Sequence, residues 1–321
     1  MRFLVRPFKK DINFLSKRRI YFVVSAALVI LSIVAVVVRG LNFGIEFVGG
    51  TSIDFSDTGD IGTEQMRRAF TNVGAEAPIV QTTLNANGEL GFVVRIAETD
   101  AAAASAIADE VAASLELADD SFQVTTIGPG WGQEVTWASL RAFLVAIALI
   151  IVYIAFRFEY KMGFTAVLGF VQVLIIIIGI YALTQREVTP NVIAALLTIM
   201  GYSLYDTVVV FHRIKDNAES TNRHSIMTVA NHSINQVLMR SINTTTTSLV
   251  PVLAMLFFGG ETLRDFAFGM AFGLVLGSCS SIFIATPIFA LWKQREPKYR
   301  ALSKKYGDGV GVFTAADNLG D

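Results

Sequence analysis

The sequence predicts a polytopic α-helical membrane protein, with six transmembrane helices and one α+β domain outside the bilayer. Two observations carry this. Of 321 residues, 53% are apolar and only 17% charged, against about 25% charged in an ordinary globular chain. The apolar residues gather into runs long enough to cross a bilayer, and one long polar interval separates the first run from the other five. The net charge of -1 carries little information because the charges are segregated along the chain. The single cysteine, Cys279, lies inside an apolar run and excludes an intrachain disulfide.

Residues 1–19 form a basic N-terminus with Arg2, Arg6, Lys9, Lys10, Lys17, Arg18 and Arg19. The run that follows, 20–38 (IYFVVSAALVILSIVAVVV), is uncharged and long enough for roughly 30 Å of hydrocarbon. A cleaved signal peptide would have a shorter apolar core ending in small residues, so 20–38 is read as a retained first span. Five further spans are expected near 141–156, 162–183, 188–211, 241–258 and 266–292. The fifth opens on Thr244, Thr245, Thr246 and Thr247 and contains Pro251, which neighbouring helices can accommodate in a membrane.

Six spans put both termini on one side, and the basic N-terminus makes that side cytoplasmic. The remaining loops agree. Residues 157–161 carry two basic residues, 212–240 carry Arg213, Lys215, Arg223 and Arg240, and the tail 293–321 carries Lys293, Arg295, Lys298, Arg300, Lys304 and Lys305. The short loops on the other side hold only Arg186 and Arg264. The expected organisation is thus a cytoplasmic N-terminus (1–19), a first span (20–38), an extracytoplasmic domain (39–136), a five-helix bundle (137–292) and a cytoplasmic tail (293–321).

The outer domain is acidic: between Leu41 and Thr136 there are fifteen Asp or Glu residues against Arg67, Arg68 and Arg95. Its pattern reads as a strand (51–55), a helix (63–75) opened by a capping-type Thr63, two strands (78–84 and 88–98) joined by a turn at 85–88, an Ala-rich helix (100–117) and a last strand (121–127). This β-α-β-β-α-β order is that of the ferredoxin-like split motif, which hosts many functions and specifies none. The domain has no His or Cys, and its scattered carboxylates read as a solvated surface.

Chemistry is concentrated in the spans. Asp206, in IMGYSLYDTVVVF, sits within apolar sequence of the fourth span. A carboxylate there is costly, faces a helix bundle or water, and needs a partner. The natural partner is Arg240, at the inner start of the antiparallel fifth span, followed by Ser241, Asn243 and Thr244. An ordinary positive flank is the competing reading of Arg240. Tyr202, Ser203, Tyr205, Thr207, Asn243 and Thr244 are the expected polar surroundings of a hydrated path. Desolvation favours a protonated aspartate and a nearby arginine an ionised one, so moving Arg240 relative to Asp206 would load or release a proton. In the last span Gly269, Gly273, Gly277, Ser281 and Ala285 recur every four residues, a stripe that permits close helix contact.

Six motifs in order resemble the SecF family, the partner of SecD in bacterial protein export: GIEFVGG (44–50), GPGWGQEV (128–135), FRFEYKMG (156–163), GYSLYDTVVVFHRIKDN (201–217), SINQVLMRSINTTTT (233–247) and GSCSSIFIATP (277–287). The resemblance implies a bacterial inner-membrane subunit related to the RND transporters. With SecD it would act at the SecY channel, using the proton gradient to draw emerging unfolded preprotein outward, and Asp206 and Arg240 would match the family's membrane aspartate and arginine. No cofactor, metal or nucleic-acid partner is implied beyond the proton gradient and the lipid bilayer. The chain departs from the family pattern at Tyr205, where Asn is usual beside the aspartate, at Glu46 and at His212, where Asp is usual.

Two other readings stay open. Half of an RND-type small-molecule or lipid exporter would share the spans and the aspartate, but such exporters usually have larger outer domains and two fused halves. A structural assembly factor without ion coupling predicts that Asp206 and Arg240 are dispensable. An enzyme is not expected: the sequence lacks a G-x-x-x-x-G-K-[ST] loop, H-E-x-x-H and a nucleophile elbow. One charge moved through 100 mV yields about 2.3 kcal/mol, enough to bias diffusion of an unfolded chain and small beside the ~5–15 kcal/mol of a folded domain.

Overall fold

The computed structural model describes residues 12–56, 58–59, 61–75, 78–84, 90–118, 121–157, 159–220, 224–307 and 310–311. After a 3-10 turn at Leu15–Lys17 come α1 (Arg18–Arg39), β1 (Asn42–Phe43), α2 (Ile45–Val48), β2 (Gly50–Phe55), α3 (Thr63–Asn72), β3 (Ile79–Leu84), β4 (Leu90–Ile96), α4 (Ala101–Ser114) and β5 (Phe122–Ile127). There follow α5 (Pro129–Arg157), α6 (Tyr160–Thr184), β6 (Glu187–Val188), α7 (Pro190–Ser220), α8 (Ile226–Phe258), α9 (Glu261–Ser280), a π-helical segment (Ser281–Ala285), α10 (Thr286–Lys293) and α11 (Pro297–Tyr306). Six helical stretches among the described residues are long and apolar enough to cross a membrane: Leu15–Arg39, Gly130–Ile154, Tyr160–Thr184, Pro190–Ser220, Ile226–Phe258 and Leu263–Lys293. The protein is a polytopic helical membrane protein.

The chain divides into two compact units. One comprises Asn42–Phe143 and Glu187–Ile193. Its sheet is antiparallel with strand order β3-β4-β2-β5, and the chain runs β2-α3-β3-β4-α4-β5. Alternation along β2 buries Ile53 and Phe55 against Met66 and Phe70 of α3, Ala108 and Val111 of α4, and Phe92 and Val94 of β4. Phe55 and Phe70 meet edge to face at 5.9 Å. Thr63 does not cap α3: the cap position is Gly62, without a side-chain bond, and Thr63 is the first helical residue. Asp100 is a true cap, accepting from the Ala102 and Ala103 amides. The expected turn at 85–88 lies outside the described residues.

The segment after α6 joins this unit through a parallel pairing of β6 with β1, Asn42 opposite Glu187 and Phe43 opposite Val188. Arg95, 6% exposed on β4, reaches Gln81 at 3.2 Å and Asn42 at 3.4 Å and forms an ion pair with Glu187. Central strand β4 is therefore apolar on one face and closed by a paired cation on the other.

The second unit is Met1–Leu41, Leu144–Arg186 and Ala194–Asp321. Here α1 lies close on α6: a Cβ at Gly179 would fall 2.2 Å from Ser32 Cβ. Helix α8 begins at Ile226, capped by Ser225, earlier than the start near 241 expected from apolarity alone. Its first turns are buried through Ile226, Met227, Val229, Ala230 and Ile234, and Asn231 and Asn235 clamp the chain ahead of α1. Asn231 Oδ1 accepts from the Phe14 amide at 2.8 Å, and the amides of Asn231 and Asn235 donate to Ile12 O at 3.0 and 2.9 Å. Likewise α7 runs on to Ser220, so His212, expected in a solvated loop, is helical and pairs with Asp216 at 3.3 Å.

Candidate functional site

Three helices of the second unit build the site. Their approach is set by the small-residue stripe, which the structure lays against α7. Cβ atoms built at Gly269, Gly273 and Gly277 would meet Ala195, Ile199 and Ser203 at 3.4, 2.2 and 3.0 Å. Below them Ser281 and Thr207 hydrogen-bond through their hydroxyls at 2.7 Å. Both series advance by four, so the two helices meet along matching i,i+4 ridges. At the end of this contact the helix widens into the π segment Ser281–Ala285, where Thr286 Oγ1 donates to Ser281 O at 2.8 Å. Ala285 lies instead beside Gly169 of α6, 3.3 Å from a Cβ built there.

Close approach brings Asp206 onto α9. The carboxylate, on a residue 8% exposed, accepts from Ser278 Oγ at 2.8 Å, and Ser278 in turn accepts from Thr245 Oγ1 of α8 at 3.0 Å. The aspartate is thus held by a hydroxyl, which donates to its ionised form and can accept from its protonated form. A cavity of about 150 Å³ opens beside it, lined by Tyr202, Ser203, Tyr205, Asp206, Thr244, Thr245, Thr247, Ser248, Leu274 and Ser278. That is room for several waters.

The direct Asp206–Arg240 ion pair expected from sequence is not formed. Arg240 Nη2 instead donates to Tyr205 Oη at 2.5 Å, with the guanidinium 5.6 Å from the Tyr205 ring centre. Asp206 lines the cavity, whereas Arg240 is held on Tyr205, another of its lining residues. The reason is helical geometry: Tyr205 and Asp206 point about 100° apart on α7, so Arg240 meets the exposed tyrosine while Asp206 faces α9.

Of the other expected residues, Tyr202, Ser203, Tyr205 and Thr244 line the cavity, and Thr207 lies on Ser281. Asn243 is exposed and outside the lining. Several threonines satisfy themselves on their own helix: Thr244 donates to Arg240 O at 2.9 Å and Thr247 to Asn243 O at 2.8 Å. The residue that sequence reasoning missed is Ser278. Its signal was present as a hydroxyl next to Gly277 in an otherwise apolar span, but only helix packing aims it at Asp206. Among the described residues no cluster of His, Cys, Asp and Glu could hold a metal.

Two family models match the chain: Protein export membrane protein SecD/SecF, C-terminal, over residues 108–295, and the SecD/SecF GG motif over residues 34–56. The chain is 36% identical to protein translocase subunit SecF of Streptomyces coelicolor, over 96% of this chain and 85% of that one. It is 34% identical to protein translocase subunit SecDF of Thermus thermophilus, over 90% of this chain but 40% of the longer relative. The crystal structure of SecDF from Thermus thermophilus, described as a translocon-associated membrane protein, superposes with a TM-score of 0.82 at 31% identity, over 92% of this chain and 40% of that one.

Proposed function

The chain belongs to the SecF family of protein translocase subunits, and from that footing we propose that it couples proton flow to a late stage of preprotein translocation. The family assigns an accessory subunit of the Sec translocase. The energetic coupling is our reading, and one observation carries it: a buried carboxylate in a polar cavity within the spans, with an arginine held on Tyr205 of the cavity lining. In this reading Asp206 takes a proton while Arg240 rests on Tyr205, and gives it up when Arg240 swings towards it.

SecD is the partner that fits. The relative from Thermus thermophilus carries a SecF-like region in a longer SecDF chain. Tyr202, Tyr205, Val250, Phe257 and Phe258 stay exposed on the site's own helices, a face suited to a second helical half. The SecY channel and the emerging preprotein are the expected further partners, and the bacterial inner membrane, with both termini cytoplasmic, is the expected setting. We read the sheet unit as a ferredoxin-like extracytoplasmic domain, which the strand order β3-β4-β2-β5 supports.

The test is export of a secreted reporter from membrane vesicles carrying wild type, Asp206→Asn or Arg240→Met, with and without a proton gradient. Both variants are expected to lose the gradient-dependent part of export while the complex still assembles. Full gradient dependence in both would instead make the two residues structural.

A further inference from the structure

The first residue of α1, the C-terminal end of α10 and helix α11 line an open recess of about 500 Å³, formed by Arg18, Leu291, Gln294, Arg295, Arg300 and Ser303. Three of its six lining side chains are guanidinium groups. Arg18 uses Nη1 on Leu15 O at 3.3 Å. Among the described residues, none of the three pairs with a carboxylate. The nearest acid in sequence, Glu296, is committed elsewhere: it takes Lys161 at 2.8 Å and Lys293 at 3.2 Å. Burial pulls Glu296 up, but the hydrogen bonds from those lysines outweigh it and hold its carboxyl below the ordinary value. The polar floor is fixed, since Gln294 Nε2 donates to Ser303 Oγ at 2.6 Å. One wall, Leu291, belongs to the end of a span, and Arg18 opens another. The recess therefore sits where hydrocarbon gives way to water.

We propose that this recess binds the phosphate of an anionic phospholipid, from the leaflet on the side of the chain's termini. Three like charges lining one recess repel one another unless an anion joins them. The guanidinium fork matches two phosphate oxygens at once, and basic recesses between helix ends suit anionic headgroups. The chemistry recognised is a phosphate, which a soluble ion also carries. The apolar wall and the position at the span ends favour the lipid.

The experiment uses the full chain in detergent, titrated with phosphatidylglycerol or phosphatidylcholine and read by native mass spectrometry, with inorganic phosphate as competitor. Wild type is expected to prefer phosphatidylglycerol. Arg295→Gln/Arg300→Gln should reduce that preference about 25-fold, roughly fivefold for the hydrogen bonding lost with each arginine. Lys298→Gln/Lys305→Gln removes the same charge beside the recess and should change it less than twofold. Arg300→Gln alone, on an exposed α11 position, should give about fivefold and serves if the double variant does not fold. Equal losses in the arginine and lysine variants would overturn the proposal in favour of diffuse surface charge. Displacement of the lipid by millimolar inorganic phosphate would overturn it in favour of a soluble anion.

Discussion

Tyr205 occupies the position beside the membrane aspartate and takes the guanidinium of Arg240 on both its hydroxyl and its ring. In the proposed relay this contact is the resting place of the arginine while Asp206 holds its proton. Tyr205→Phe retains the ring and removes only the oxygen, so the hydrogen bond is lost while the cation–π contact stays. A net hydrogen bond is worth about 1 kcal/mol, on the order of fivefold in a population. Gradient-dependent export is expected to fall by about that factor, with the amount of assembled complex unchanged; an unaltered rate would remove Tyr205 from the relay. Sequence alone marked Tyr205 as a departure beside the site. Its partner could not be read there, because residues 35 positions apart meet only when α7 and α8 pack.

At the scale of elements, the glycine stripe is what lets α7 and α9 approach. The tightest point is Gly273, where an added Cβ would lie 2.2 Å from Ile199 Cδ1 and 2.8 Å from its Cγ2. The whole isoleucine side chain would have to move. Gly273→Ala is expected to cost roughly 1–3 kcal/mol, the usual penalty of overpacking, read as a lower unfolding midpoint in detergent. Ile199→Ala, which is itself destabilising, should recover most of that loss in the double variant, leaving a clear coupling energy between the two sites. Simple additivity would mean the helices part rather than clash. Period-four spacing made the stripe legible from sequence, but which helix it would meet was not, since any span could have supplied the partner ridge.

For the whole molecule, the segment after α6 is held in the sheet unit by residues far apart in sequence: Asn42, Gln81, Arg95 and Glu187. Arg95 is buried and Glu187 has a side chain 20% exposed, so Arg95→Met would take the buried cation from that carboxylate and should destabilise the unit by about 1.5–3 kcal/mol. Faster hydrogen exchange at 42–43 and 187–193 would report it. Arg95→Met/Glu187→Leu should recover much of the loss, because removing both charges removes the desolvation cost. No recovery would assign Arg95 to packing alone. The sequence by itself determined the number of long apolar helices, the place of the polar interval and the cost of a carboxylate in the fourth span. These follow from local composition and period, which water and hydrocarbon read residue by residue. Only the tertiary structure decided that Ser278 holds Asp206, that Tyr205 holds Arg240, and that 187–193 belong with the sheet unit. Each of these is a meeting of side chains distant along the chain, chosen by which surfaces fit, and no local pattern encodes that choice.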